Sequence, residues 1–93
     1  MNELDDLKHR LRDFTAARDW KEFHTPKNLA MALVAEAAEV VEHFQWLTAA
    51  ESRAPDPAKR AEVALELADV LLYLVMLADS LDIDLAEVAH RKI

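Results

Sequence analysis

The sequence predicts an all-α fold, and three observations carry that prediction. The 93 residues contain no glycine, whereas strand turns and phosphate-cradling loops lean on glycine for positive φ. Alanine, leucine, glutamate and arginine dominate, and all four are good helix formers. Apolar residues also recur at helical intervals along most of the chain. Together these point to four helices bundled in a single domain over residues 1–93.

The first helix is expected from Glu3 to about Ala17, where Leu4, Leu7, Leu11 and Phe14 recur at helical spacing. The segment RDWKEFHTPKN then breaks the pattern. Thr25 followed by Pro26 has the form of an N-cap with proline in the first helical position, opening a second helix to about Leu47. TAAESRAPDPAKR is polar and holds two of the three prolines, so it reads as a loop. Asp56–Pro57 repeats the cap-and-proline signal and opens a third helix, lasting to about Leu81. Asp84 caps a short fourth helix that reaches Ile93. There is no internal repeat and no low-complexity tract.

Composition narrows the functional classes. Hydrophobic residues make up 53% of the chain, but a domain this short buries only about 60–65% of its unfolded surface. Domains of this size often gain stability from a metal or from self-association. With no cysteine, disulfides and thiolate metal sites are ruled out, and a reducing cytoplasm is the expected setting. The formal net charge of −7 would repel nucleic-acid phosphates, so no nucleic-acid partner is expected. The first residues do not have a charged-then-apolar pattern, so no signal peptide is expected. The longest apolar run, Val70–Ala78, is about 14 Å long as a helix, far short of a bilayer, so no membrane partner is expected either.

One stretch resists this plain reading. VALELADVLLYLVMLA, Val63 to Ala78, is apolar almost throughout yet carries Glu66 and Asp69. Advancing each residue by about 100° places Glu62, Glu66, Asp69 and Tyr73 within about 60° of one another. That is a narrow acidic stripe on a helix otherwise apolar all round. On the second helix, Glu36 and Glu39 stand three apart and share a face at the border of the apolar arc, with His43 beside them. Either pair alone could be a solvated flank. A carboxylate drawn among apolar groups, however, is costly unless it is paired, protonated or metal-bound. No basic residue lies between Val63 and Ala78, which leaves a distant Lys or Arg, or a cation, to neutralise the stripe. Four facing carboxylates repel strongly without a cation between them, and all-oxygen ligation selects Mg²⁺ or Mn²⁺ over zinc.

EAAE on one helix followed by ELAD on the next resembles the MazG-like superfamily of all-α nucleoside triphosphate pyrophosphohydrolases. The wider match, RDWKEFHTPKNLAMALVAEAAEVVEHFQW with LELADVLLYLVMLADSLDIDL, is most similar to its dCTP pyrophosphatase branch and covers roughly Asp13 to Lys92. The resemblance implies that Glu36, Glu39, Glu66 and Asp69 are Mg²⁺ ligands. It also implies that Trp20 and Trp46 enclose the base, with His24 in the same segment, and that Tyr73 contacts the nucleotide. The implied reaction converts a (deoxy)nucleoside triphosphate, dCTP or a modified dCTP, to the monophosphate and pyrophosphate, in a homodimer or homotetramer. Two departures stand out. Many members carry a second acid where this chain has Leu65. Members also commonly continue past the Lys92 position with a basic segment that helps bind phosphate, which residues 1–93 do not contain.

Hydrolysis between the α and β phosphates needs charge neutralisation and an aimed water. The metals would supply the first, and Glu39 is the residue expected to orient the water. No Ser/His/Asp or Cys/His nucleophile constellation is evident, so a covalent intermediate is not expected. The apolar circumference of the third helix exceeds what three other helices can cover, which predicts an obligate oligomer with this helix in the interface. Two rivals remain at this point. A di-iron carboxylate bundle would need Glu-x-x-His on two helices, and the chain has it once, at Glu87–His90. A non-enzymatic helical interaction module would pair its carboxylates with a basic partner.

Overall fold

The structure, a computed structural model, describes residues 2–93. Each expected helix start is present, and each is fixed by local chemistry. α1, Glu3–Ala17, is opened by Asn2, whose side chain accepts from the Asp5 N–H at 2.9 Å while Asp5 accepts from the Asn2 N–H. After a 3₁₀ turn at Lys21–Phe23, α2 spans Pro26–Glu42, with the Thr25 hydroxyl accepting from the Asn28 N–H. Asp56 caps α4, Pro57–Ser80, and Asp84 caps α5, Leu85–Lys92. Such caps satisfy backbone donors that have no partner inside the helix.

The structure departs from the expected boundaries in two places. α2 stops at Glu42 rather than near Leu47. Beyond it the N–H groups of His43, Phe44 and Leu47 bond three residues back, which tightens the chain out of α-helical pitch. The polar loop also contains one helical turn, α3 at Ala49–Ser52, opened by a reciprocal pair between Thr48 and Glu51. Two helix ends normally served by glycine are served by aspartate instead. Asp19 and Asp82 adopt φ of 56° and 54°, and the residue after each bonds back into the preceding helix. Aspartate tolerates the left-handed region better than most residues, which lets a glycine-free chain turn at both points.

α4 is the centre of the arrangement, with α2 antiparallel along one side and α1 on another. Arg12 of α1 grips Asp79 of α4 through two bonds of 2.9 and 2.6 Å. Among the described residues, only Leu29, Val75 and Ala78 are buried. Much apolar surface stays uncovered in the single chain: Val34 of α2 is 69% exposed, and Leu65 and Leu67 of α4 are 71% and 53% exposed. The radius of gyration is 15.3 Å, against about 12 Å for a compact domain of this length. No helix among the described residues is long and apolar enough to cross a membrane.

Candidate metal centre

The antiparallel seam between α2 and α4 brings the two acidic stripes together. Glu36 and Glu39 from α2 and Glu66 from α4 each offer a carboxylate oxygen, and these oxygens lie within 4.8 Å of one another. Oxygens on opposite sides of an octahedral Mg²⁺ are about 4.2 Å apart, twice the metal–oxygen distance. The trio is therefore close to closing on such an ion. One oxygen of Glu36 and one of Glu66, Oε2 in each, are shielded from solvent and have no hydrogen-bond partner. A buried, unpartnered carboxylate oxygen is costly in a finished site and is accounted for when a cation accepts its lone pair.

The electrostatics agree. The Glu36 carboxyl is pushed above the ordinary glutamate value, first by desolvation and then by the charges of Glu39 and Asp69. Glu66 is also pushed up, chiefly by the neighbouring Glu39 carboxyl, with which it can share a proton, then by desolvation and by the charges of Glu39 and Asp69. Among the described residues, no Lys or Arg comes within ion-pair reach of Glu36, Glu39, Glu66 or Asp69. The neutralisation by a distant basic side chain that the sequence left open is thus not what the structure shows. An all-oxygen, net-negative group of this kind suits a hard divalent cation.

Asp69 lies outside the trio, exposed to solvent, though its charge bears on both Glu36 and Glu66. Tyr73 follows it one turn later on α4 and is partly buried. A cleft of about 560 Å³ lies further along the seam and is lined by Arg12, Thr15, Lys21, His24, Leu29 and Met76 among others. None of Glu36, Glu39, Glu66 and Asp69 lines it. Leu29 precedes Glu36 by seven residues, about 10 Å of helix. His24 thus belongs to the cleft, and Trp20 stands 6.1 Å from it ring to ring, edge-on to Phe14 at 5.6 Å. Trp46 joins neither group and is 87% exposed. The Glu87–His90 pair sits on α5 outside the carboxylate group, with Glu87 facing Arg91 instead.

Sequence reasoning missed two features. The Arg12–Asp79 pair joins residues 67 apart in the chain. His43 and Lys59 meet at 3.3 Å beside the carboxylates, on the side away from the cleft. The register of the antiparallel pair could have revealed the second. Once Glu36 faces Glu66, the residue seven places on, His43, must face the residue seven places back, Lys59.

A family model described as MazG-like matches residues 31–93. The dCTP pyrophosphatase 1 of Rattus norvegicus is 44% identical over 91 residues, 96% of this chain and 54% of that protein. The protein of the same name from Homo sapiens is 45% identical over 84 residues, 88% of this chain and 49% of that protein. The chain thus spans about half the length of these curated relatives. A crystal structure of a pyrophosphatase from Archaeoglobus fulgidus superposes with a TM-score of 0.90 at 39% identity, covering 99% of this chain and 86% of the other. With identity above 40% along nearly its whole length and a family model over most of it, the chain belongs to the MazG-like family.

Proposed function

We propose that this chain is a nucleoside triphosphate pyrophosphohydrolase that releases pyrophosphate from a (deoxy)nucleoside triphosphate. The observation that carries the reading is the pair of shielded, unpartnered oxygens on Glu36 and Glu66 within a group of three carboxylates. Glu36, Glu39 and Glu66 would hold a divalent cation, with Asp69 adding charge from the next turn; the oxygen-only donors favour Mg²⁺, and Mn²⁺ is suited too. When bound, the cation supplies charge neutralisation on the triphosphate and lowers the barrier to attack by water.

The chain's own residues do the rest. Glu39 is the exposed member of the trio, so its carboxylate can orient the attacking water and take its proton. Water adds to the α-phosphorus, the bond from the α-phosphorus to the bridging oxygen breaks, and pyrophosphate leaves with that oxygen. The cleft at His24, about 10 Å along the seam, is the place for the nucleoside, with the Trp20 ring offering a stacking face. Tyr73 lies between the two regions on α4. The uncovered apolar surface supports a homodimer or homotetramer, in which Trp46 would face a neighbouring protomer rather than solvent. dCTP is the first substrate to try, because the curated relatives carry that name. A cysteine-free chain acting on the nucleotide pool fits the cytoplasm.

The test is pyrophosphate release from a panel of deoxy- and ribonucleoside triphosphates, with Mg²⁺ and with chelator, on wild type and Glu39→Ala. Magnesium-dependent release that the substitution abolishes supports the reading, and the ranking of bases names the substrate. No release from any nucleotide by this chain, nor by one extended with the basic segment that family members carry, would sink it.

A further inference from the structure

We infer that His43 is a positioning residue that steers the Glu66 carboxylate into the metal group, an assignment that rests on the metal reading above. His43 ends α2, with its side chain only 16% exposed. Three charged groups of α4 face it: Lys59, Glu62 and Glu66. The Lys59 Nζ lies 3.3 Å from the His43 Nδ1. An ammonium group only donates, so Nδ1 must be the accepting nitrogen and the ring proton sits on Nε2. Nε2 is the atom turned to Glu66, 3.8 Å from its Oε1. Lys59 is itself held by Glu62 at 3.7 Å, which keeps the negative Glu62 oxygen from confronting the Nδ1 lone pair unscreened.

The relay makes the two oxygens of Glu66 unequal. Oε1 faces a ring N–H, whereas Oε2 is shielded and unpartnered and is left as the oxygen for a cation. The 3.8 Å contact is longer than a hydrogen bond. Such contacts often tighten when a site is loaded, as the carboxylate gives up one lone pair and turns the other outward. Groups that orient a metal ligand in this way typically contribute about 10- to 100-fold in metal affinity.

The test reads metal binding directly, by titrating Mn²⁺ and following the free aquo-ion by electron paramagnetic resonance. The proteins are the wild type, His43→Leu, His43→Gln and Lys59→Met, and melting temperatures in chelator check the fold. His43→Leu is expected to weaken Mn²⁺ binding about 10- to 100-fold. His43→Gln, whose amide can donate to the same oxygen, is expected to restore most of it. Lys59→Met frees the ring to adopt the other tautomer and should fall between wild type and His43→Leu. Wild-type affinity in His43→Leu, or a glutamine variant as weak as the leucine one, would overturn the inference while leaving the metal site standing. A wild type that takes up no Mn²⁺ would overturn both. Should His43→Leu not fold, Lys59→Met decides: undiminished binding there refutes the relay.

Discussion

Replacing Leu67 by glutamate should dissociate this protein into monomers. The single chain exposes 7210 Å², whereas a folded monomer of 10.6 kDa exposes about 5,500 Å². The excess, roughly 1,700 Å² per protomer, would place a dimer interface in the obligate class. Leu67 lies on α4, the helix at the centre of the arrangement, and is 53% exposed. Covering a whole leucine side chain stabilises by about 1.5–3 kcal/mol, so covering the exposed half contributes about 0.8–1.5 kcal/mol. Two-fold symmetry counts the site twice, and each 1.4 kcal/mol is tenfold, giving a loss of about 15- to 150-fold. Burying glutamate adds to that. Sedimentation equilibrium at micromolar concentration is the assay, with Val34→Glu on α2 as a second probe. The wild type should sediment at two or more times the chain mass and Leu67→Glu should approach it. A wild type that is monomeric, with a cooperative melt, would refute the reasoning outright.

Two titrations test the charges separately. Glu36 and Glu66 are raised in the folded chain above the ordinary 4.5, so between that value and the raised ones the folded state binds more protons than the unfolded. In chelator, stability should therefore fall as pH rises through this window. Glu36→Gln should flatten the fall, raise the melting temperature in chelator, and abolish the increase that Mg²⁺ gives the wild type; a variant less stable than wild type in chelator would contradict this. Asp79 carries the opposite sign. Arg12 holds it below the ordinary 3.8, so its contribution is fully present above 3.8 and disappears as pH falls through the depressed value. Arg12→Met should lower the melting temperature by a few degrees near neutral pH, with the difference vanishing in strong acid.

What could be read in advance was what is local. Thr25–Pro26, Asp56–Pro57 and Asp84 each state a helix start within a few residues, and each start is where it was expected. The end of α2 is not marked by glycine or proline. It comes from a shift to shorter-range hydrogen bonds at His43, Phe44 and Leu47, which composition does not encode. α3 had a local signature, Thr48 three residues before Glu51, submerged in a polar loop with two prolines. The same division holds at the site. Spacing alone put Glu36 beside Glu39 and gave Glu66 a place on a stripe, but only the pairing of α2 with α4 makes three of them converge and leaves Asp69 outside. Trp46 shows the limit from the other side, since nothing in its local sequence says that the folded chain leaves it 87% exposed.

The position of the carboxylates within the fold ties stability to function. α2 and α4 make the principal helix contact, and the buried ones among the described residues come from these two helices: Leu29 from one, Val75 and Ala78 from the other. Placing Glu36, Glu39 and Glu66 in that same seam sets like charges against the packing that holds the domain together. A divalent cation there would reverse the sign, turning a repulsion between two helices into a clamp. Chelation should then loosen one seam rather than the whole molecule. In hydrogen exchange, amides around residues 33–43 of α2 and 59–70 of α4 should lose protection on adding EDTA. Those of α1 near Arg12, held to α4 by the Asp79 pair at the other end of the seam, should change far less. Uniform deprotection would mean that the cation supports global stability without acting at the seam. No change at all would mean that the carboxylates hold no cation in solution.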